Sequence, residues 1–80
     1  MTTIDKLIFA GSYLSDKCEG INSHELSRKL ITFFDHEPSA ISVEIPVVIR
    51  HGEINGYTFG GAGIATVWRS GNVQIEHVSN

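Results

Sequence analysis

Ile41-Ser42-Val43-Glu44-Ile45-Pro46-Val47-Val48-Ile49 carries a large aliphatic residue at every odd position. An unbroken two-residue period of this kind defines a β-strand with one face turned to a core. The even positions Ser42, Glu44, Pro46, Val48 and Arg50 face the other way. Pro46 has no amide to give to a ladder, which favours an edge strand or a bulge at that point.

Downstream, Asn55-Gly56 is the strongest two-residue hairpin signal, because both turn residues must take positive φ. His51-Gly52 competes, and register decides between them. With Asn55-Gly56 as the turn, Ile54 faces Tyr57, Ile49 faces Ala62, Val47 faces Ile64 and Val43 faces Trp68, so the large odd residues meet apolar partners. The alternative sets Val47 against Gly56. A second hairpin comes at Arg69-Ser70-Gly71-Asn72, with its turn at Ser70-Gly71 or at Gly71-Asn72. Either choice keeps Trp68, Val73 and Ile75 on the inner face. Gly60-Gly61-Ala62-Gly63 lies inside the middle strand, where it permits a bend or a bulge.

Upstream, Asn22 can cap a helix whose third position is Glu25. Leu26, Leu30, Phe33 and Phe34 form one apolar stripe, Glu25 and Lys29 make an i,i+4 pair, and Pro38 stops the helix near Asp35. Ser15 to Ile21 is polar and reads as a loop. In Lys6 to Leu14, Leu7, Phe9 and Tyr13 share one parity, while Ile8, Ala10 and Leu14 share the other. That pattern predicts a strand covered on both sides, or one at an oligomer contact. No second helix is expected. The resulting fold is α+β, a β-α-β-β-β two-layer sandwich with one helix packed on an antiparallel meander of long curved strands. It forms a single domain over 1–80, with an ordered core from about 4 to 78.

Composition sets the limits on function. Eighty residues exclude a multidomain machine, and 41% hydrophobic against 19% charged residues make a foldable chain. A net charge of −3 leaves no basic excess for a run of phosphates and argues against a nucleic-acid partner. The echo of a base-stacking motif in Tyr57-Thr58-Phe59-Gly60-Gly61 is faint. One cysteine excludes an internal disulfide, and no apolar run reaches the length of a signal peptide or membrane span. A cytoplasmic protein without membrane contact is expected.

Each candidate for chemistry has a plainer explanation. The glycines at 60, 61 and 63 lead into a strand-like segment, whereas a phosphate loop leads into a helix. Asp35-His36-Glu37 offers carboxylates beside an imidazole, yet short polar runs after a helix are ordinarily solvated. His24 is too far along the helix to join them. Cys18 sits between Lys17 and Glu19 with no base in view. His77 continues the inner face as a core or edge histidine. No catalytic residue, cofactor or metal is assigned.

The stronger signal is an apolar surplus. One helix covers one face of a sheet, so the back face is left with Val48, Ile54, Tyr57, Phe59, Ala65 and Val67, bordered by Glu44, Arg50, Arg69, Gln74 and Glu76. An apolar patch with a charged rim marks an interface. The expected function is therefore non-enzymatic binding of a protein partner by the sheet face and hairpin tip, as in an inhibitor, an immunity protein or a phage accessory protein. The anchors would be Ile54, Tyr57, Phe59, Arg50, Val48 and Arg69. The alternative is an oligomer, from homodimer upward, that binds a small ligand in aromatic pockets between subunits, with Trp68 as a stacking candidate.

Overall fold

The computed structural model describes residues 2–54 and 57–78, of which 51–54 and 57–59 are described by their backbone alone. The order is α1 (Thr3–Lys17), β1 (Cys18–Glu19), α2 (Ser23–His36), β2 (Ser42–Ile54), β3 (Tyr57–Trp68) and β4 (Val73–His77). The strands form one antiparallel sheet in the order β1-β2-β3-β4, curled as a half-barrel with both helices against its concave face. The α+β class and the antiparallel meander are those expected from the sequence.

The N-terminal segment requires a correction, because Lys6 to Leu14 is helix and not strand. Thr2 and Asp5 exchange side-chain and backbone hydrogen bonds at 3.1 and 3.2 Å in a capping box. Leu7, Ala10, Gly11 and Leu14, spaced for one helical face, are all buried. Among the described residues there are therefore two helices, and they pack as an antiparallel pair. Gly11 lets α1 approach α2 closely: a Cβ there would overlap Ser27 Oγ and lie 2.9 Å from the Ser23 carbonyl. Ser27, itself buried, donates to Ile8 O at 3.4 Å.

α2 obeys its sequence signals. Asn22 accepts from the Glu25 amide at 2.9 Å, Glu25 and Lys29 are 3.3 Å apart, and Leu30 and Phe34 are buried. The helix ends at His36, one residue beyond the expected stop. Cys18, expected in a polar loop, lies in β1 opposite Ile49, where its side chain is fully buried.

In β2, Val43, Ile45, Val47 and Ile49 turn to the core, while Ile41 at the strand's entrance is 73% exposed. The hairpin pairs Ile54 with Tyr57 as expected, and the Asn55-Gly56 turn itself falls outside the described residues. Nearer the base the register differs by one. A bulge between Ile49 and Gly52 pairs Ile49 with Gly61, Val47 with Gly63 and Val43 with Val67. Shifting by one residue exchanges faces. Ala65 and Val67, expected on the back, are fully buried under the helices, while Trp68, expected inside, pairs with Ser42 and is only half-buried.

The second turn also takes one residue more than expected. Gly71 N–H donates to Trp68 O at 2.8 Å, Trp68 N–H to Asn72 O at 2.9 Å, and Gly71 sits at φ 93°, so the loop is Arg69-Ser70-Gly71. This second shift of one restores Val73 and Ile75 to the core side, where they were expected.

Candidate interaction surface

Strand length leaves part of the sheet without cover. Thirteen residues of β2 at about 3.3 Å each run about 43 Å, and fifteen residues of α1 at about 1.5 Å each run about 22 Å. The helices lie under the base of the hairpin. At the far end of α1, Arg50 donates to the carbonyls of Asp16 and Ser15 at 3.1 and 3.3 Å. The backbone of residues 51–54 and 57–59 continues beyond it.

The back of the base is the apolar surface that the chain leaves open. Val48 is 51% exposed and pairs with exposed Ala62, while Pro46 is exposed and pairs with Ile64, 36% exposed. Half-buried Trp68 lies on the same side at the end of β3, beside Ser42. Exposed Glu44 and Gln74 flank Thr66 in a polar row that separates Trp68 from Pro46 and Ile64, and exposed Glu76 borders Ile64 on the other side. The expected uncovered face thus exists with a different membership. Ala65 and Val67 leave it, and Ile64 and Trp68 join it. The bulge that makes this exchange has a visible signal in Gly60 and Gly61, the latter at φ 96°.

The expected anchors fall into three groups. Val48 stands exposed on the open face. The side chains of Ile54, Tyr57 and Phe59 lie outside the described residues. Arg50 and Arg69 are engaged at helix ends, Arg50 while still exposed and Arg69 half-buried: Arg69 donates to Ala40 O at 3.0 and 2.8 Å, to Phe34 O at 2.9 Å and to Glu37 O at 2.6 Å, its guanidinium 4.9 Å from the Phe34 ring. Phe34 O belongs to the last turn of α2, whose carbonyls lack intrahelical partners, while Glu37 O, which also accepts from the Ala40 amide, and Ala40 O lie in the segment that follows. Both arginines therefore have structural work that their charge alone did not reveal.

A second apolar surface was hidden by the strand reading of the N-terminus. On α1, Phe9 and Tyr13 are 59% and 47% exposed. With Ala10, Gly71, Asn72 and Val73 they line an open groove of about 490 Å³ between α1 and the start of β4. Lys17 Nζ lies 5.8 Å from the Tyr13 ring.

The groups that could do chemistry are dispersed. Burial pushes the Cys18 thiol above its ordinary value of 9.0, with Arg50 pulling it partly back, which opposes thiolate chemistry. Asp35, His36 and Glu37 are exposed where α2 ends. His77 Nε2 lies 2.6 Å from Gly60 O, a contact that ties β4 to β3 at the point opposite the β2 bulge. Among the described residues no group of three or more His, Cys, Asp or Glu side chains could hold a metal ion, and no helix is long and apolar enough to cross a membrane. No family model matches the chain, and no curated protein or solved structure is significantly similar to it.

Proposed function

We propose that this is a non-enzymatic binding protein of the cytoplasm that acts by covering a partner protein with the back of its sheet. The observation that carries the reading is the open apolar patch made by Pro46, Val48, Ala62 and Ile64, bounded by the polar row Glu44-Thr66-Gln74 and by Glu76. Such a face costs solubility in a small protein unless something covers it. Occlusion of the partner's surface is the mechanism such a face supplies, as an inhibitor or immunity protein would use it.

The test is capture of a partner from the native cell extract with three forms of the chain. Wild type and a Lys29→Glu variant on the far side of α2 should retain the same protein, and the double variant Val48→Glu/Ile64→Glu should lose it. Equal capture by all three would remove the reading. The aromatic groove at Phe9 and Tyr13 supports a second reading, a small ligand held between subunits. Phe9→Ala/Tyr13→Ala should then abolish ligand binding, and binding unchanged in that variant would exclude it.

A further inference from the structure

The two edges of the sheet are protected very differently. On one side the outermost strand is β1, only two residues long, and the strand behind it carries Pro46. On the other side β4 reads Val73-Gln74-Ile75-Glu76-His77 and pairs with β3 in unbroken register, without proline, lysine or bulge. Sheets that remain alone blunt their edges with such devices, because a bare row of amides and carbonyls pairs with another strand.

The bare groups can be identified. Trp68 N–H donates to Asn72 O and Val78 N–H donates to Ala62 O at 3.0 Å, so the even positions along β4 are those bonded to β3. Antiparallel alternation then turns the N–H and C=O of Val73, Ile75 and His77 outward. Among the described residues no strand pairs with them. Beside this edge, on the concave side, stand Phe9 and Tyr13 with the groove that runs to Val73.

We propose that β4 pairs antiparallel with β4 of a second copy of this chain, about a twofold axis through Ile75. Ile75 then faces Ile75, Val73 faces His77, and Gln74 faces Glu76. In this register every outward amide and carbonyl of Val73, Ile75 and His77 gains a partner. Each Glu76 carboxylate meets a Gln74 amide, a pairing already present within one chain at 3.5 Å. Sliding the register by two residues either sets Glu76 against Glu76 or leaves His77 without a partner. This self-complementarity singles out a second copy over an unrelated extended peptide. The paired strands form one continuous sheet, and Phe9 and Tyr13 face the second copy across the joint. The inference is separate from the proposed partner surface, since it uses the edge of the sheet and not its open face.

Sedimentation equilibrium of the whole chain tests it. Wild type at micromolar concentration should show twice the 8.8 kDa chain mass. Gln74→Glu places like charges opposite each other at both ends of the joint and should raise the dimer dissociation constant roughly tenfold. The double variant Gln74→Glu/Glu76→Gln has the same net charge as wild type and should restore it. His77→Pro removes an outward amide and should give a monomer with an unchanged far-ultraviolet spectrum. In wild type the amides of Val73, Ile75 and His77 should exchange with solvent more slowly as concentration rises. A mass of 8.8 kDa throughout the micromolar range, whether or not a foreign peptide binds the edge, overturns the proposal. So does a dimer indifferent to Gln74→Glu. Val48→Glu/Ile64→Glu should leave the dimer intact, so loss of partner binding and loss of self-pairing are told apart.

Discussion

Replacing Gly11 by alanine opposes two effects of known sign. On an exposed helix the change would stabilise, since alanine exceeds glycine in helix propensity by about 1 kcal/mol. Gly11 is buried against α2, where the new methyl would overlap Ser27 Oγ and lie 2.9 Å from Ser23 O. The Ser27 hydroxyl can rotate aside, at the expense of its 3.4 Å bond to Ile8 O. The Ser23 carbonyl is helix backbone and cannot, so α1 must move outward as a unit. Overpacking of this kind costs about 1–3 kcal/mol, and the strain of moving a helix puts this site at the upper end. Less the gain in propensity, Gly11→Ala should destabilise the fold by about 1–2 kcal/mol, lowering Tm by about 4–8 °C for each kcal/mol. Urea and thermal unfolding followed by circular dichroism measure this directly, with Ser12→Ala, an exposed neighbour on α1, as the control for propensity alone. A Gly11→Ala protein as stable as wild type, or more so, would refute the helix–helix approach. The experiment also separates helix from strand at this segment, because alanine for glycine inside a strand would stabilise.

Arg69→Ala strips the carbonyls of Phe34, Glu37 and Ala40 of their donor and removes the contact with the Phe34 ring. We expect a loss of about 2–3 kcal/mol by urea titration, with Arg69→Lys recovering less than half because an ammonium cannot span all three acceptors. A lysine variant as stable as wild type would contradict that geometry. Burial keeps the Cys18 thiol protonated at a pH where the unfolded chain ionises, despite the opposing pull of Arg50. Stability from this source is therefore complete below the ordinary value of 9.0 and is lost as pH rises through the folded value. Tm should fall more steeply as pH rises above 9.0 in wild type than in Cys18→Ala, which lacks the titrating group; parallel curves would show that the thiol is not desolvated.

The N-terminal helix was written in the sequence twice, and both signals were masked. Thr2 and Asp5 have the spacing of a capping box, and Leu7, Ala10, Gly11 and Leu14 have that of a buried helical face. Their contrast is lost to the apolar content of the opposite face. Ile4, Ile8, Phe9 and Tyr13 are all exposed, so apolar residues occupy both parities and the stripe does not stand out. A helix that buries one face and exposes aromatics on another cannot be told from a doubly covered strand by periodicity alone. α2 was legible for the converse reason: its exposed face is polar, and Asn22, Glu25 and Pro38 bound it. Arg50 and Arg69 passed for surface anchors because a helix end many residues away leaves no mark beside the arginine that closes it.

The sheet was legible in its strands and hidden in its register, and the reason bears on function. Pairing large odd residues of β2 with Ala62, Ile64 and Trp68 gives the more apolar inner face on paper, but that choice ignores the space beneath two helices. On the concave side of a curled sheet, bulk at every position would hold the helices away. The protein instead presents Gly63, Ala65 and Val67 there. A Cβ at Gly63 would lie 2.6 Å from Ile49 Cδ1 and 2.8 Å from Glu76 O, so even one methyl exceeds the room at that point. The extra residues in the bulge after Ile49 and in the Arg69-Ser70-Gly71 turn are the device that selects this arrangement. Each reverses the parity of the strand residues C-terminal to it, so together they invert β3 and leave β4 as before. Close packing inside is thus obtained by turning Ile64 and Trp68 to the outer face, where Ile64 is exposed and Trp68 half-buried. Had hydrophobic burial alone set the register, those side chains would be inside. Their outward placement follows from the limited volume under the helices, and Ile64 with Val48 then forms the exposed apolar patch on which the proposed partner surface rests.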